Sequence, residues 1–173
     1  IAMLAASSLG AIWSSSSPDF GIKGVLDRFS QIEPKIIFAA DGYFYGGKRF
    51  DSLEKLQNIL HELPSVEKVV VISYTQTPDI SGVPNSIHWE DFIDNPATEV
   101  SFTPLPFDHP LYIMYSSGTT GLPKSIVHSA GGTLVQHVKE LMLHCDLKRE
   151  DTIFYFTTCG WMMWNWLVSS LAV

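Results

Sequence analysis

Short apolar runs alternate with amphipathic stretches in the first 72 residues, and this rhythm constrains the fold more than any other feature of the sequence. Residues 11–13, 36–38 and 69–72 are uninterrupted apolar runs of strand length. Residues 20–29 and 53–63, which lie between these runs, carry apolar side chains at helical spacing. Strands that alternate with helices in this order predict an α/β fold with a mainly parallel sheet flanked by helices.

Helix-ending and helix-starting residues support two of these elements. Gly10 is suited to end a first helix over residues 1–9. Asp51 can cap the helix that begins after it, and Glu54 then completes a capping box. One face of that helix carries four leucines, which are Leu53, Leu56, Leu60 and Leu63.

The second half of the chain predicts fewer regular elements. Residues 74–110 contain six prolines, so we expect a long loop there with a short turn near residues 89–92. Residues 111–115 are apolar throughout and predict a strand that is covered on both faces. A helix over residues 129–144 and a strand over residues 152–156 complete the prediction. The buried stripe expected on that helix consists of Leu134, Val138, Leu141 and Met142.

Charge and composition exclude several classes of protein. Eleven basic against eighteen acidic residues give a net charge of −7, so no nucleic-acid-binding surface is expected. An apolar content of 46% is typical of a folded chain with a large core, and the length suits one domain. Cys145 and Cys159 cannot form a disulfide framework, and the histidines lack zinc-binding spacing, so we expect no metal site and a reducing, cytosolic setting.

Both ends of the sequence lie within apolar patterns. The chain begins at Ile1 inside a helical pattern and ends inside the apolar run 161–173. Because domains usually end in polar surface segments, we expect the sequence to be a piece of a longer polypeptide. The terminal run has thirteen residues, whereas a spanning helix needs about 20. No membrane span is therefore expected.

The stretch YSSGTTGLPKS, residues 115–125, follows the predicted strand 111–115 and is suited to bind phosphate. In an open parallel sheet, ligands bind at the carboxyl ends of the strands, where this loop must lie. Gly118 and Gly121 allow backbone N–H groups to turn towards an anion, and Lys124 adds a positive charge. Four short side chains supply hydroxyl donors: Ser116, Ser117, Thr119 and Thr120.

Two alternative interpretations of this loop are weaker. A loop rich in glycine, serine and threonine can be only a solvated turn, but here the whole pattern Ser/Thr-Ser/Thr-Gly-Ser/Thr-Thr-Gly-x-Pro-Lys is matched over residues 116–124. A Walker A loop needs a glycine directly before its lysine, whereas Lys124 follows Pro123. The sequence therefore predicts a phosphate-binding loop of another kind.

Two further segments are ambiguous from their residue types alone. Residues 41–49 (DGYFYGGKR) predict a hairpin with a Gly-Gly turn, whose basic residues can be merely solvated. Residues 161–166 (WMMWNW) form an aromatic and methionine cluster, and such clusters are ordinarily part of a hydrophobic core.

The loop sequence resembles the phosphate-binding loop of the acyl-adenylate-forming superfamily, which contains acyl-CoA synthetases, luciferases and the adenylation domains of peptide synthetases. Residues 9–21 (LGAIWSSSSPDFG) are similar to the GAIHSVVFGGFSP segment of its acetyl-CoA synthetase group, and residues 125–136 (SIVHSAGGTLVQ) are similar to GVLHTTGGYL. The run CGWMMWNW, residues 159–166, is most similar to members of that group that activate acetoacetate. The chain thus resembles an internal part of the large N-terminal domain over essentially its whole length.

The resemblance implies roles for three sets of residues. The residues implied to bind the ATP phosphates are Ser116, Ser117, Gly118, Thr119, Thr120, Gly121 and Lys124, of which Thr119, Thr120 and Lys124 are implied to be catalytic. The residues implied to contact coenzyme A, at the place of an RGGR run, are Tyr45, Gly46, Gly47, Lys48 and Arg49. The residues implied to line the acyl pocket are Trp161, Met162 and Met163. Ser125 stands where the family usually has glycine, which removes no hydrogen-bond donor.

The resemblance also implies the reaction. ATP with Mg²⁺ activates a short acid such as acetoacetate to an acyl-adenylate, and coenzyme A then displaces AMP. Family motifs that lie further along the chain are not among these 173 residues, nor is the C-terminal domain that carries a catalytic lysine, so we expect this piece alone to be inactive. Two alternatives are a non-catalytic truncated product that acts by interaction, and an adenylating enzyme that loads a carrier protein instead of coenzyme A.

Overall fold

The structure is a computed structural model of the chain, and it describes residues 1–94, 99–116 and 121–173. The described residues form two compact units. The first unit contains residues 1–17, 101–116 and 124–173, and the second contains residues 18–94, 99–100 and 121–123.

Strands and helices alternate along the chain, as the sequence predicts. The strands are β1 (Trp13–Ser14), β2 (Ile36–Ala40), β3 (Gly42–Tyr45), β4 (Lys48–Asp51), β5 (Lys68–Ile72), β6 (Ser86–His88), β7 (Pro110–Ser116) and β8 (Lys124–Ser129). The helices are α1 (Ala2–Ser8), α2 (Ile22–Phe29), α3 (Leu53–His61), α4 (Trp89–Phe92), α5 (Ala130–Lys139) and α6 (Met162–Val168). A π-helical turn, Glu140–His144, follows α5, and a 3₁₀ turn, Ser169–Ala172, follows α6.

A parallel sheet with the order β2-β5-β6 forms the centre of the second unit. The apolar run of β5 lies inside it, where Val69, Val70 and Val71 have no exposed surface. Burying each such side chain contributes about 1.5–3 kcal/mol relative to leaving it exposed. Helices α2 and α3 pack on this sheet through apolar faces, as the helical spacing predicts. The core residues contributed by α3 and the segment after it are Leu56, Ile59, Leu63 and Val66.

Strands β3 and β4 form the hairpin that the Gly-Gly sequence predicts. Gly46 and Gly47 have φ angles of +56° and +74°, the left-handed conformation that a two-residue type I′ turn requires at both positions. The predicted cap of α3 needs a correction. Ser52 occupies the N-cap position without a side-chain cap bond, and the Asp51 carboxylate instead accepts a hydrogen bond from the Leu53 N–H at 2.8 Å, so no capping box with Glu54 forms.

The first unit contains a mixed sheet with the order β1-β7-β8. Strand β7 pairs with β1 in parallel and with β8 in an antiparallel ladder. Tyr112 on β7 is 1% exposed and Leu141 after α5 is fully buried, so these two residues mark the core of this unit. The α/β architecture with parallel pairing agrees with the prediction. The described part of the chain contains no helix that is long and apolar enough to cross a lipid bilayer.

Several predicted elements differ from the structure. The strand predicted at residues 11–13 is the two-residue β1, because only Trp13 and Ser14 pair with β7. Strands β6 and β8 are missing from the prediction, which placed a loop at both. Residues 152–156 are not a strand, and Phe154 and Phe156 are 81% and 89% exposed. An apolar run extends as a strand only where a neighbouring strand can accept its backbone hydrogen bonds.

Of the buried stripe predicted on the helix over residues 129–144, full burial is confirmed only at Leu141. Leu134 and Met142 are about half exposed, whereas Thr133, His137 and Leu141 are buried. These three residues are spaced four apart and so lie on one face of the helix. The prediction selected positions by apolar residue type, whereas tertiary packing placed a threonine and a histidine on the inner face.

Candidate functional site

The β7–β8 hairpin holds the ends of the predicted phosphate loop. Ser116 and Lys124 are paired across the antiparallel ladder, so the segment 117–123 connects the two strands. The sequence placed this loop before a helix, and the structure places strand β8 there. Four of the predicted residues, Ser117, Gly118, Thr119 and Thr120, lie outside the described residues, so their roles stay predictions.

The described loop residues are open to solvent. Gly121, Leu122 and Lys124 are exposed, and no atom lies within 4 Å of the position where a Cβ on Gly121 would stand. The Pro123 carbonyl accepts a hydrogen bond of 2.8 Å from the Gln31 side chain, which lies in the same unit. Lys124 therefore presents its ammonium group from the first position of a strand, where its backbone is fixed and its side chain is free to reach an anion.

The serine run after β1 lies beside β7 and the segment that precedes α6. Ser14 Oγ donates to the Ile113 carbonyl at 3.0 Å, and Ser15 Oγ donates to the Cys159 carbonyl at 2.5 Å. Gly160 is needed there, because a Cβ at this residue would stand 3.0 Å from the Ser17 nitrogen. No role is predicted for these serines from the sequence, where only their local repetition distinguishes them.

A small recess of about 10 Å³, room for about one water molecule, lies among these elements. It is lined by Trp13, Ser15, Tyr112, Ile113, Met114, Tyr115, Cys159, Gly160 and Asn165. Of the residues predicted for the acyl pocket, Trp161 and Met162 are 67% and 45% exposed and Met163 is half-buried. Trp161 and Met162 are therefore not core residues within this unit, and the pocket role of all three stays a prediction.

Two histidines lie close to β7, of which His128 is half-buried and His137 is buried. The His128 ring packs against the Tyr112 ring with centroids 5.2 Å apart, and burial lowers the pKa of His128 below its ordinary value. His137 Nδ1 lies 2.8 Å from Ser169 Oγ, and burial, followed by the neighbouring His128, lowers the pKa of His137. Both lowered pKa values favour the uncharged form of the imidazole.

The β3–β4 hairpin brings the residues predicted to contact coenzyme A to one turn. Tyr45, Lys48 and Arg49 are exposed, and Tyr45 pairs with Lys48 directly across the turn. Arg49 Nε donates a hydrogen bond of 2.9 Å to Thr75 Oγ1, and Arg49 Nη2 lies 3.8 Å from Asp51 Oδ2. The hairpin therefore presents two cations beside an aromatic ring, groups that suit a phosphate and an adenine.

Asp41, directly before this hairpin, is the most enclosed charged residue near it. It has no exposed surface, and its carboxylate accepts backbone hydrogen bonds of 2.6, 2.9 and 3.1 Å from a run of three residues. These donors are Tyr74, Thr75 and Gln76. The Thr75 hydroxyl also donates to Asp41 Oδ2. Burial alone raises the pKa of this carboxyl, but the four hydrogen bonds outweigh burial and lower the pKa below its ordinary value.

Sequence reasoning missed Thr75, and the missing signal is tertiary. Strands β2 and β5 are parallel and pair Ala40 with Ile72, so the residues that follow each strand meet at one sheet edge. The backbone N–H of Asp41 continues this pairing by donating to the Ile72 carbonyl at 3.0 Å. An Asp after one apolar run and a Thr after the next were the available signs, because carboxyl ends of parallel strands converge.

Comparison with known proteins gives a uniform result. The family described as "AMP-binding enzyme" matches residues 1–172. The chain is 58% identical to an acetoacetyl-CoA synthetase of Danio rerio and 54% identical to an acetoacetyl-coenzyme A synthetase of Rhizobium meliloti (strain 1021), with 99% of this chain and 27% and 26% of the relatives covered. The chain therefore spans about a quarter of the length of these curated relatives.

A solved structure matches over nearly the same share of the chain. The acetoacetyl-CoA synthetase from Streptomyces lividans superimposes with a TM-score of 0.89 at 47% sequence identity. The match covers 98% of this chain and 26% of that protein. The mixed α/β fold of the chain is thus the fold of the corresponding part of a synthetase. On the match of the family to residues 1–172, the chain belongs to the AMP-binding enzyme family.

Proposed function

We propose that this chain is part of the adenylate-forming N-terminal domain of an ATP-dependent ligase that joins acetoacetate to coenzyme A. The observation that carries the proposal is the similarity along 99% of the chain to relatives named as acetoacetyl-CoA synthetases, in vertebrates and in a bacterium. The phosphate-loop pattern over residues 116–124 supports it independently, because this pattern supplies the donors that ATP needs. We place the protein in the cytosol, because two cysteines in 173 residues are too few for the disulfide framework of a small secreted domain.

The proposed reaction has two steps. An oxygen of the acetoacetate carboxylate bonds to the α-phosphorus of ATP, while the bond from this phosphorus to the β-phosphate breaks and pyrophosphate leaves. The sulfur of coenzyme A then loses its proton to solvent and bonds to the acyl carbon, while the bond from this carbon to the phosphate oxygen breaks and AMP leaves. Both steps need reactants held in line and charge stabilised on the leaving group.

The loop residues act in the first of these steps. Lys124 places its positive charge beside the β- and γ-phosphates and stabilises the charge that grows on the leaving pyrophosphate. Thr119 and Thr120 donate hydroxyl hydrogen bonds to the same phosphates, and Ser116, Ser117, Gly118 and Gly121 complete the cradle. Mg²⁺ would enter with ATP and would neutralise part of its phosphate charge, since this metal is held largely by substrate phosphates. The described residues contain no group of three side chains that could hold a metal ion, and we assign no metal ligand to them.

The hairpin residues act in the second step. Lys48 and Arg49 are exposed on β4 and meet phosphates of coenzyme A, and Tyr45, 75% exposed, stacks on its adenine. The Gly46-Gly47 turn keeps the backbone close to the ligand because neither residue carries a side chain.

The acyl pocket determines which acid is activated. We place Trp161, Met162 and Met163 at the acyl group, where large side chains leave room only for a short acid. Replacing Met163 by Gly then raises kcat/KM for hexanoate relative to acetoacetate by at least about tenfold, because one methylene changes discrimination by about 10–200-fold. Met163→Leu, which conserves volume, is the matched control. An unchanged chain-length preference in Met163→Gly removes the pocket assignment.

The decisive experiment measures each step in the full-length protein that contains this chain. Acetoacetate-dependent exchange of pyrophosphate into ATP reports adenylation, and release of acetoacetyl-CoA reports thiol transfer. We expect both, with acetate and a phosphopantetheine carrier protein as poorer substrates. Exchange with acetate but not acetoacetate contradicts the proposed acid, and transfer to the carrier protein alone contradicts coenzyme A. The isolated 173-residue piece is expected to show no exchange.

A further inference from the structure

A buried carboxylate and a hydroxyl form a fixed chain of hydrogen bonds beneath the β3–β4 hairpin. Asp41 follows β2 and has no exposed surface. Its carboxylate accepts four hydrogen bonds from residues 74–76, which follow β5. An ionised carboxylate only accepts hydrogen bonds, so every donor in this cluster must point at Asp41. The carboxylate thereby fixes the conformation of the segment that contains Thr75.

The direction of the Thr75 hydroxyl bond is set by that charge. Thr75 donates its single hydroxyl proton to Asp41 Oδ2. The hydroxyl oxygen therefore has only lone pairs left for other partners. Arg49 Nε uses one of them in a hydrogen bond of 2.9 Å. Asp41, Thr75 and Arg49 are thus linked in one order, from a buried anion to a cation whose side chain is 38% exposed.

Close packing at Gly42 keeps Thr75 against the hairpin. A Cβ on Gly42 would stand 2.4 Å from the Phe50 carbonyl oxygen and 3.3 Å from both Thr75 Cγ2 and Oγ1. The side chain of Thr75 therefore lies against the backbone of β3 at Gly42. Strand β3 pairs with β4, the strand that carries Arg49. Asp51 Oδ2 lies 3.8 Å from Arg49 Nη2, which is an ion-pair distance and too long for a hydrogen bond.

From this geometry we propose that Asp41 and Thr75 are positioning residues that hold Arg49 in the orientation in which it binds a phosphate of coenzyme A. The proposal rests on the proposed function, which places coenzyme A at this hairpin. A free arginine side chain must lose its rotamer freedom when it binds, whereas one hydrogen-bonded at Nε has already lost part of it. The planar guanidinium group also needs the correct plane to meet a phosphate with two N–H groups.

Thr75 is the residue to change, because Asp41 and its backbone donors can remain in place when the hydroxyl is lost. In the full-length protein, Thr75→Val removes the hydroxyl and is expected to raise KM for coenzyme A about tenfold, the scale of one hydrogen bond to a charged group. KM for ATP and the rate of pyrophosphate exchange are measured on the same variant, so that any loss of affinity can be assigned to coenzyme A or to ATP. Thr75→Ser restores the hydroxyl and is expected to recover KM for coenzyme A to within about twofold.

Thr77→Val is the matched control, since it makes the same substitution at an exposed residue two positions away. We expect it to leave KM for coenzyme A unchanged. A KM increase in this control equal to that of Thr75→Val, or an increase in KM for ATP instead of coenzyme A, overturns the inference.

A double substitution separates positioning from a general structural effect. If Thr75 acts through Arg49, then Thr75→Val adds less than about twofold to KM for coenzyme A once Arg49→Gln is present, because the two substitutions remove the same interaction. Multiplying effects show that Thr75 acts by another route, and they overturn the inference.

The single substitutions also distinguish this inference from the function on which it rests. When Arg49→Gln raises KM for coenzyme A and Thr75→Val does not, the positioning role is wrong and the coenzyme A site stands. When Arg49→Gln leaves that KM unchanged, Arg49 does not bind coenzyme A, and both its proposed contact with coenzyme A and the positioning role of Thr75 are wrong.

Discussion

Lys124 and Arg49 are the two cations that we propose bind phosphates in different steps, and the chain holds them in opposite ways. Lys124 begins β8 with its backbone in the ladder opposite Ser116 and its side chain exposed. Arg49 is bonded through Nε to Thr75, whose hydroxyl is fixed by the buried Asp41. Lys124 carries a compact ammonium charge on a flexible side chain, whereas Arg49 carries a planar guanidinium group that is hydrogen-bonded through Nε.

This difference indicates which step each cation is suited to. A flexible ammonium group can follow charge that moves to a leaving pyrophosphate during the reaction. A fixed guanidinium group loses little freedom on binding and suits a phosphate that does not change during the reaction. We therefore expect Lys124 to control the rate of adenylation and Arg49 to control the binding of coenzyme A.

The largest expected effect tests the first half of this comparison. In the full-length protein, Lys124→Gln is expected to lower kcat of acetoacetate-dependent pyrophosphate exchange by about 10²–10³, the usual loss for one group that stabilises transition-state charge. KM for coenzyme A changes little. Lys148→Gln, at an exposed lysine paired with Asp146, is the charge-matched control. A Lys124→Gln enzyme that loses ATP affinity but keeps its kcat contradicts the rate role.

The next effect tests how firmly the hairpin is held. Gly42→Ala places a Cβ 2.4 Å from a backbone oxygen of β4, which cannot move aside without opening the hairpin. We expect a loss of about 1–3 kcal/mol in stability, typical of overpacking, measured as a lower urea midpoint. Gly21→Ala is the control, because no atom lies within 4 Å of the Cβ it adds. Equal midpoints for the two variants would show that β3 and β4 pack less closely than the structure has them.

Apolar pattern and strand length explain which strands can be predicted from the sequence. Strands β2 and β5 are recognisable because each contains an uninterrupted apolar run, and the run Val69–Val71 of β5 is fully buried. Strand β6 is not, because it has three residues and a single apolar side chain, Ile87, paired with Val70. A short strand at a sheet edge owes its conformation to the neighbour that it pairs with, and that neighbour is distant in sequence.

The candidate site divides along the same line. The phosphate loop can be found from the sequence because its hydroxyls, glycines and lysine are consecutive, over residues 116–124. The residues that position Arg49 cannot be found in this way, because Thr75 is 34 residues from Asp41 and 26 residues from Arg49 in the sequence. Residues that touch a ligand are constrained by its chemistry and form a motif. Residues that hold them are constrained by tertiary geometry, and a threonine in a loop has no distinctive pattern.

The smallest expected effect is a pH dependence of folding stability that comes from Asp41, the carboxylate that holds Thr75 beneath Arg49. Because the folded-state pKa of Asp41 lies below its ordinary value of 3.8, this carboxylate stabilises the folded state above that value. The stabilisation is lost as the pH falls below 3.8 through the lower folded pKa. Asp41→Asn cannot accept the same four hydrogen bonds with a charge, so it lacks this contribution at every pH.

The measurement is the melting temperature of the protein and of Asp41→Asn as a function of pH. We expect the difference between them to be constant near neutral pH and to narrow as the medium becomes acidic, because the protonated Asp41 then resembles Asn in charge. Asp94→Asn, at an exposed carboxylate, serves as the control and should give no such change. A difference that stays constant down to the pH at which both proteins unfold would mean that the charge of Asp41 does not hold Thr75, and that Arg49 is supported no more firmly than Lys124.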